Sequence, residues 1–112
     1  MVYIASVDDD NRGRAAIYAL EAKTGKIVWK YHVEGSIKNT IAIDKDKVFA
    51  QDIYGIIYAI DCNNGSLCWK KDIGMSVLPS LTEGLATKDG ILYAGTGKYL
   101  QAIDASTGEM LW

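Results

Sequence analysis

Nothing in this sequence is long and apolar, strongly basic, or rich in metal ligands. Its apolar runs last only a few residues, far short of the roughly 20 a helix needs to span a bilayer. Its opening residues, MVYIASVDDD, lack the basic flank and long apolar core of a secretory leader. Direct membrane insertion is therefore not expected. The net charge is −2, with lysines, aspartates and glutamates scattered singly. That leaves no basic stripe for a phosphate backbone, and no nucleic-acid partner is expected. The single histidine, His32, has no recognisable Ser, Cys or metal-ligand companion and is expected at the surface.

Cysteine is scarce as well. Cys62 and Cys68 stand six apart across one turn, with no CxxC pair and no Cys/His cluster, so a zinc site is unsupported. If the turn between them has three residues, Cys62 faces Ser66 and Cys68 becomes a diagonal neighbour at about 7 Å. That exceeds the usual disulfide reach of about 4.4 to 6.8 Å. Both are expected as free, buried, apolar fillers.

What the sequence does have is repetition. The 112 residues, 49% hydrophobic and 23% charged, suit one globular domain. IYALEAKTGKIVWK (17–30), IYAIDCNNGSLCWK (57–70) and LQAIDASTGEMLW (100–112) are versions of one hairpin. Trp29, Trp69 and Trp112 follow each other at intervals of 40 and 43 residues, a period that signals a stacked repeat architecture. Ala19, Ala59 and Ala102 always precede their tryptophan by ten residues, and Gly25, Gly65 and Gly108 by four. A glycine in the left-handed conformation lets such a hairpin close tightly. With that turn each alanine falls opposite its tryptophan, a small residue making room for a large one. Glu21, Asp61 and Asp104 stand just before the turns, where a carboxylate can accept backbone N–H bonds, so they are expected to staple the turn and not to catalyse.

MVYIAS, KVFAQD and GILYAG supply another strand before each hairpin, and SIKNTIAID and SLTEGLATK a further, more polar strand before the second and third. The unit is four strands, A to D, in about 40 residues. Runs such as Ile56 to Ile60 are apolar on both faces, so each sheet must be covered on both sides. An all-β architecture of propeller blades meets that need, because radial stacking supplies both neighbours. A linear solenoid is the alternative. Its coils are shorter than this repeat.

The three hairpins resemble the A-x-D-x-x-T-G-x-x-x-W signature of the pyrroloquinoline-quinone (PQQ) type, tryptophan-docking propeller repeat, over essentially the whole chain. Gln101, Asn64 and Glu21 depart from the pattern without moving the glycine or the tryptophan. The resemblance implies that each tryptophan packs between the alanine of its own blade and the glycine turn of an adjacent blade. It implies a single propeller segment, 1–112, with blades at about 1–34, 35–74 and 75–112. The first blade would lack its strand A, for eleven strands in all. A propeller closes with about four blades or more. The chain is thus expected to be a segment of a larger protein, or one part of a ring built from several chains, a homodimer of six blades being the simplest.

Other motifs carry less. DDDNRG (8–13) fails the spacing of a calcium-binding EF-hand loop, which needs oxygen ligands where Arg12 and Ala19 stand. GTGK (95–98) leads into a strand, not a helix, and so is expected as a turn and not a phosphate loop. Lys38, Asn39 and Glu83 fall on innermost strands, where related quinoprotein dehydrogenases hold PQQ and calcium. The catalytic aspartate, stacking tryptophan and vicinal cysteines of those enzymes are not recognisable here. No catalytic, cofactor-binding or metal-binding residue is therefore expected. The expected role is a non-catalytic scaffold or recognition segment, with a protein partner or self-association through its blade faces. Similar repeats occur in envelope assembly factors and in propellers attached to calcineurin-like metallophosphoesterases, and only that resemblance suggests a periplasmic or envelope location. Part of a PQQ-dependent dehydrogenase is the alternative, and an independent self-assembling protein a third reading.

Overall fold

The computed structural model describes residues 1–7, 13–38, 41–74, 85–95 and 100–112. Three antiparallel sheets follow one another along the chain. The first contains β1 (Val2–Ala5), β2 (Ala16–Leu20) and β3 (Ile27–His32). The second contains β4 (Ala42–Asp44), β5 (Lys47–Gln51), β6 (Ile56–Asp61) and β7 (Leu67–Asp72), in that spatial order. The third contains β8 (Leu85–Lys88), β9 (Ile91–Gly95) and β10 (Leu100–Asp104). Among the described residues there are thus ten strands, against the eleven expected. The last strand of the third sheet is reduced to one bridge, Ile103 to Met110, beside which Leu111 and Trp112 donate to the Ala102 carbonyl and the Ala102 N–H donates to the Trp112 carbonyl. Among the described residues, no helix is long and apolar enough to cross a membrane.

The strands that read as apolar on both faces serve two separate cores. On β6, Ile56, Tyr58 and Ile60 enter the cluster shared with the first sheet, while Ile57 and Ala59 enter the cluster shared with the third. On β5, Val48 and Ala50 turn one way and Phe49 the other. The period of two along a strand sends neighbouring side chains to opposite faces. A sheet between two others therefore needs no polar face.

The hairpin turns differ from the expected three-residue loop. Glu21 N–H bonds to Lys26 O at 2.8 Å and Asp61 N–H to Ser66 O at 2.8 Å, so the loops are the four residues 22–25 and 62–65. Each is followed by a bulge. Leu20 pairs with Ile27 while Ala19 pairs with Trp29, leaving Val28 as the extra residue. Ile60 pairs with Leu67 while Ala59 pairs with Trp69, leaving Cys68. In the third hairpin Leu111 and Trp112 both donate to Ala102 O, at 2.7 and 3.3 Å. One residue more in the loop and one bulged residue in the strand cancel, so each alanine still faces its tryptophan. Cys62 and Cys68 are free, as expected, but only Cys62 is buried; Cys68 is exposed because it is the bulged residue.

The residue before each turn acts as a staple. Asp61 Oδ1 accepts the N–H of Asn63 at 2.8 Å, and Asp104 Oδ1 accepts the N–H of Ser106 at 2.9 Å. Glu21, one methylene longer, instead accepts the Thr24 hydroxyl at 3.2 Å. The next polar position tolerates both residue types it carries, since Thr24 Oγ1, Asn64 Oδ1 and Thr107 Oγ1 each accept the backbone N–H two residues on.

Candidate functional site

The chain's distinctive side chains gather at the joints between sheets. Trp29 projects from β3 and donates its indole N–H to Cys62 O, in the turn of the second sheet, at 2.8 Å. Trp69 does the same from β7 to Ala105 O, in the turn of the third sheet, at 2.9 Å. Each indole lies against a turn glycine. A Cβ on Gly65 would stand 2.8 Å from the Trp29 ring, and one on Gly108 would stand 2.7 Å from Trp69. Only a residue without a side chain permits that approach.

Each joint also has an aromatic backing. Tyr3 pairs with Ala19, which pairs with Trp29, and the Tyr3 and Trp29 rings are 6.0 Å apart. Phe49, Ala59 and Trp69 form the same row in the second sheet, with rings 5.9 Å apart. Tyr93 pairs with Ala102, and its ring lies 6.3 Å from that of Trp112. The alanine thus sits beneath two aromatics, one on either side, which the hairpin motif alone did not reveal. An aromatic residue in the strand before every hairpin was the available signal. Burial and a hydrogen bond with Cys62 raise the Tyr3 phenol above its usual range.

A second polar cluster, also missed by the sequence reading, ties the first sheet to the second. The Asp52 carboxylate is 6% exposed. Oδ1 accepts the N–H groups of Tyr54 and Ile56, at 2.9 and 3.0 Å. Oδ2 accepts the Gly35 N–H at 3.2 Å and the Tyr58 hydroxyl at 2.9 Å. The Tyr58 oxygen in turn accepts the Glu34 N–H at 2.9 Å. Burial, first of all, raises the Tyr58 phenol far above its ordinary value. A carboxylate has about four lone-pair sites, and all are used here. Asp52 is therefore a fastener for the segment that passes from β3 to β4. In sequence it sits inside QDIYG, which reads only as a turn.

A cavity of about 340 Å³ opens between the turns of the second and third sheets, lined in part by Asp44, Lys47, Phe49, Asp89 and Asp104. Lys47 Nζ lies 3.1 Å from Asp46 Oδ1, so part of its charge is already matched. Among the described residues no three His, Cys, Asp or Glu side chains are placed to hold a metal ion. Of the residues considered from sequence, His32 is exposed on β3 as expected. Lys38 is exposed within the segment between β3 and β4, not on the innermost strand where it was expected. Asn39, Glu83 and most of DDDNRG and GTGK lie outside the described residues.

Comparison with known proteins agrees with this architecture. A protein-family model described as "Outer membrane protein assembly factor BamB" matches residues 1–112. Tetrathionate hydrolase from Acidithiobacillus ferrooxidans is 32% identical over 98 residues, covering 86% of this chain and 19% of that protein. Among solved structures, a europium-containing methanol dehydrogenase superposes with a TM-score of 0.75 at 20% identity, covering 98% of this chain and 22% of the other. BamB from Moraxella catarrhalis superposes with a TM-score of 0.71 at 24% identity, covering 96% and 34%. The chain spans about a fifth of the curated relative it matches, and the solved structures show its fold: a stretch of β-propeller blades.

Proposed function

Because the chain belongs to the family described as outer membrane protein assembly factor BamB, over residues 1–112, we propose that it is a non-catalytic propeller segment that serves as a scaffold or recognition surface within a larger protein. An envelope assembly factor is the kind of parent the family match favours. The observation that carries this reading is the use of its polar groups. The two indole N–H groups and the Asp52 carboxylate, which a catalytic site would leave open, are spent on joining one sheet to the next.

The quinone implied by the repeat's name does not fit the residues present. It requires a tryptophan to stack on it inside the channel formed by the innermost strands. Here Trp29 and Trp69 stand on β3 and β7, at the opposite edge of their sheets, and are buried in the joints. Trp112 follows β10 in the equivalent position. The test is direct. Titrating the purified chain with pyrroloquinoline quinone and calcium should leave the quinone absorbance and its dialysis equilibrium unchanged at micromolar concentrations. A retained chromophore would favour the dehydrogenase reading instead.

A further inference from the structure

The two joints differ at their polar end. In the first, the residue before the paired alanine is Tyr58, whose oxygen accepts the N–H of Glu34, from the segment leaving β3, at 2.9 Å. In the second, the residue before Ala102 is Gln101. Gly74 follows Trp69 as Glu34 follows Trp29, by five residues, but its N–H is spent on Asp72 Oδ1 at 2.9 Å. The facing strand changes too. Two residues after the aromatic backing, the first joint has Ala5 and the second has Gln51.

Gln51 alternates with Phe49 along β5 and so faces the third sheet, where its Nε2 donates to Gly95 O at 3.2 Å. Gln101 pairs with Ala94, next to Gly95, and alternates with Ile103 along β10, so it faces the second sheet. Both side chains thus enter the joint at the same end. The bond to Gly95 O fixes which way the Gln51 amide points. Its Oε1 and that of Gln101 are both buried, and neither meets a donor among the described residues. We propose that the joint between the second and third sheets binds a water molecule that donates one hydrogen to Gln51 Oε1 and the other to Gln101 Oε1, taking the part that the Glu34 N–H plays in the first joint. A buried acceptor without a donor gives up its hydration for no return, and buried waters occupy such places. A cation is a poorer match, because both oxygens are uncharged. The neighbouring carboxylate, Asp52, is turned toward Gly35 and Tyr58, and a buried ion without a counter-charge is costly. The water site goes beyond the scaffold role, and it holds or fails independently of quinone binding.

Water-oxygen magnetic relaxation dispersion on the 112-residue chain counts waters held longer than the protein takes to tumble. Replacing both acceptors by an apolar side chain of similar shape, Gln51→Met together with Gln101→Met, should lower that count by one while the near-UV spectrum is kept. Each single substitution strands one oxygen and should lower the folding equilibrium constant by about 10-fold. The double variant should lose far less than the product of the two, as groups acting through one partner do. On the wild-type chain, water cross-peaks to the Gln51 side-chain amide should carry the sign of a molecule tumbling with the protein, a readout that needs no variant. Exchanging sodium for tetramethylammonium at constant ionic strength should change nothing. An unchanged water count in the double variant, or absent cross-peaks, would overturn the proposal in favour of a Gln101 amide turned end for end, its Nε2 donating straight to Gln51 Oε1. A loss of stability without sodium would overturn it in favour of a cation.

Discussion

The turns of the first and second sheets are nearly the same object in different surroundings. Gly25 and Gly65 occupy the same hairpin position at φ +72° and +75°, each closed by a bond back to the acid before the loop, at 2.8 and 3.0 Å. Yet Gly65 lies beneath an indole while Gly25 faces open space. Glycine at this position therefore answers two demands that the sequence cannot separate. One is local, a left-handed backbone; the other comes from the neighbouring sheet, which leaves no room for a Cβ. The first turn shows the local demand alone and so serves as an internal control for the second.

The largest effect should come from removing the indole that distinguishes them. Trp29→Ala empties a joint packed by Tyr3, Gly65 and Cys62, and should cost about 3–5 kcal/mol in urea unfolding. Trp112→Ala, where the indole is 63% exposed, should cost under about 1 kcal/mol. Equal losses would mean that the tryptophans act within their own sheets and not between them.

Next come the glycines themselves. Gly25→Ala should cost only the strain of a left-handed alanine, about 1–2 kcal/mol. Gly65→Ala adds an overlap with Trp29 at 2.8 Å and should cost about 3–4 kcal/mol once overpacking is included. Their difference isolates the docking contribution. In the Trp29→Ala background that difference should vanish, because the turn of the second sheet then faces a void, and a double-mutant cycle measures this. A difference that survives would place its origin in the turn.

Asp52→Ala probes the same pair of sheets away from the indole. It strips the acceptor from the N–H groups of Gly35, Tyr54 and Ile56 and from the Tyr58 hydroxyl. About 2–3 kcal/mol should be lost, the usual result of orphaning buried donors. The emission of Trp29 should stay that of a buried indole, since its bond to Cys62 O is untouched. A red shift would show that the crossing segment and the joint yield together.

How much of this the sequence disclosed follows from where each feature is encoded. The glycine, the alanine and the tryptophan are local and repeated, so the hairpin, its register and the docking role were legible. The four-residue loop was not, because the bulge at Val28 or Cys68 restores the register that a three-residue loop would give. The same cancellation hid the exposure of Cys68. The aromatic backing by Tyr3, Phe49 and Tyr93 was visible as a residue type, but its meaning depends on strand pairing across the alanine. Asp52 was the least legible. Its four donors come from residues 35 to 58, and only the folded crossing segment brings Gly35 to it.

The smallest effect separates the turns by their acids. Asp104 accepts the Ser106 hydroxyl at 2.6 Å and the N–H groups of Ser106 and Thr107 at 2.9 and 3.3 Å. The Ser106 hydroxyl bond, followed by the backbone bond from the same residue, holds its carboxyl below the usual range. A carboxyl whose pKa is lowered by folding binds its proton less readily in the native state than in the unfolded chain. Its contribution is thus complete above the unfolded value, near about 4, and fades as pH falls through the lower folded value. Asp46, held low by its bond to Lys47, titrates in the same acid region, so the wild-type curve alone cannot isolate Asp104. Subtracting the urea midpoints of Asp104→Ala from those of the wild type cancels the Asp46 contribution. That difference should be small and constant from pH 8 to pH 5, then shrink as the pH falls toward 2. In the first turn Glu21 accepts the Thr24 hydroxyl at 3.2 Å, a longer bond than the one Asp104 accepts from the Ser106 hydroxyl. If the Asp104 difference persists undiminished at pH 2, the carboxylate is not what staples the third turn.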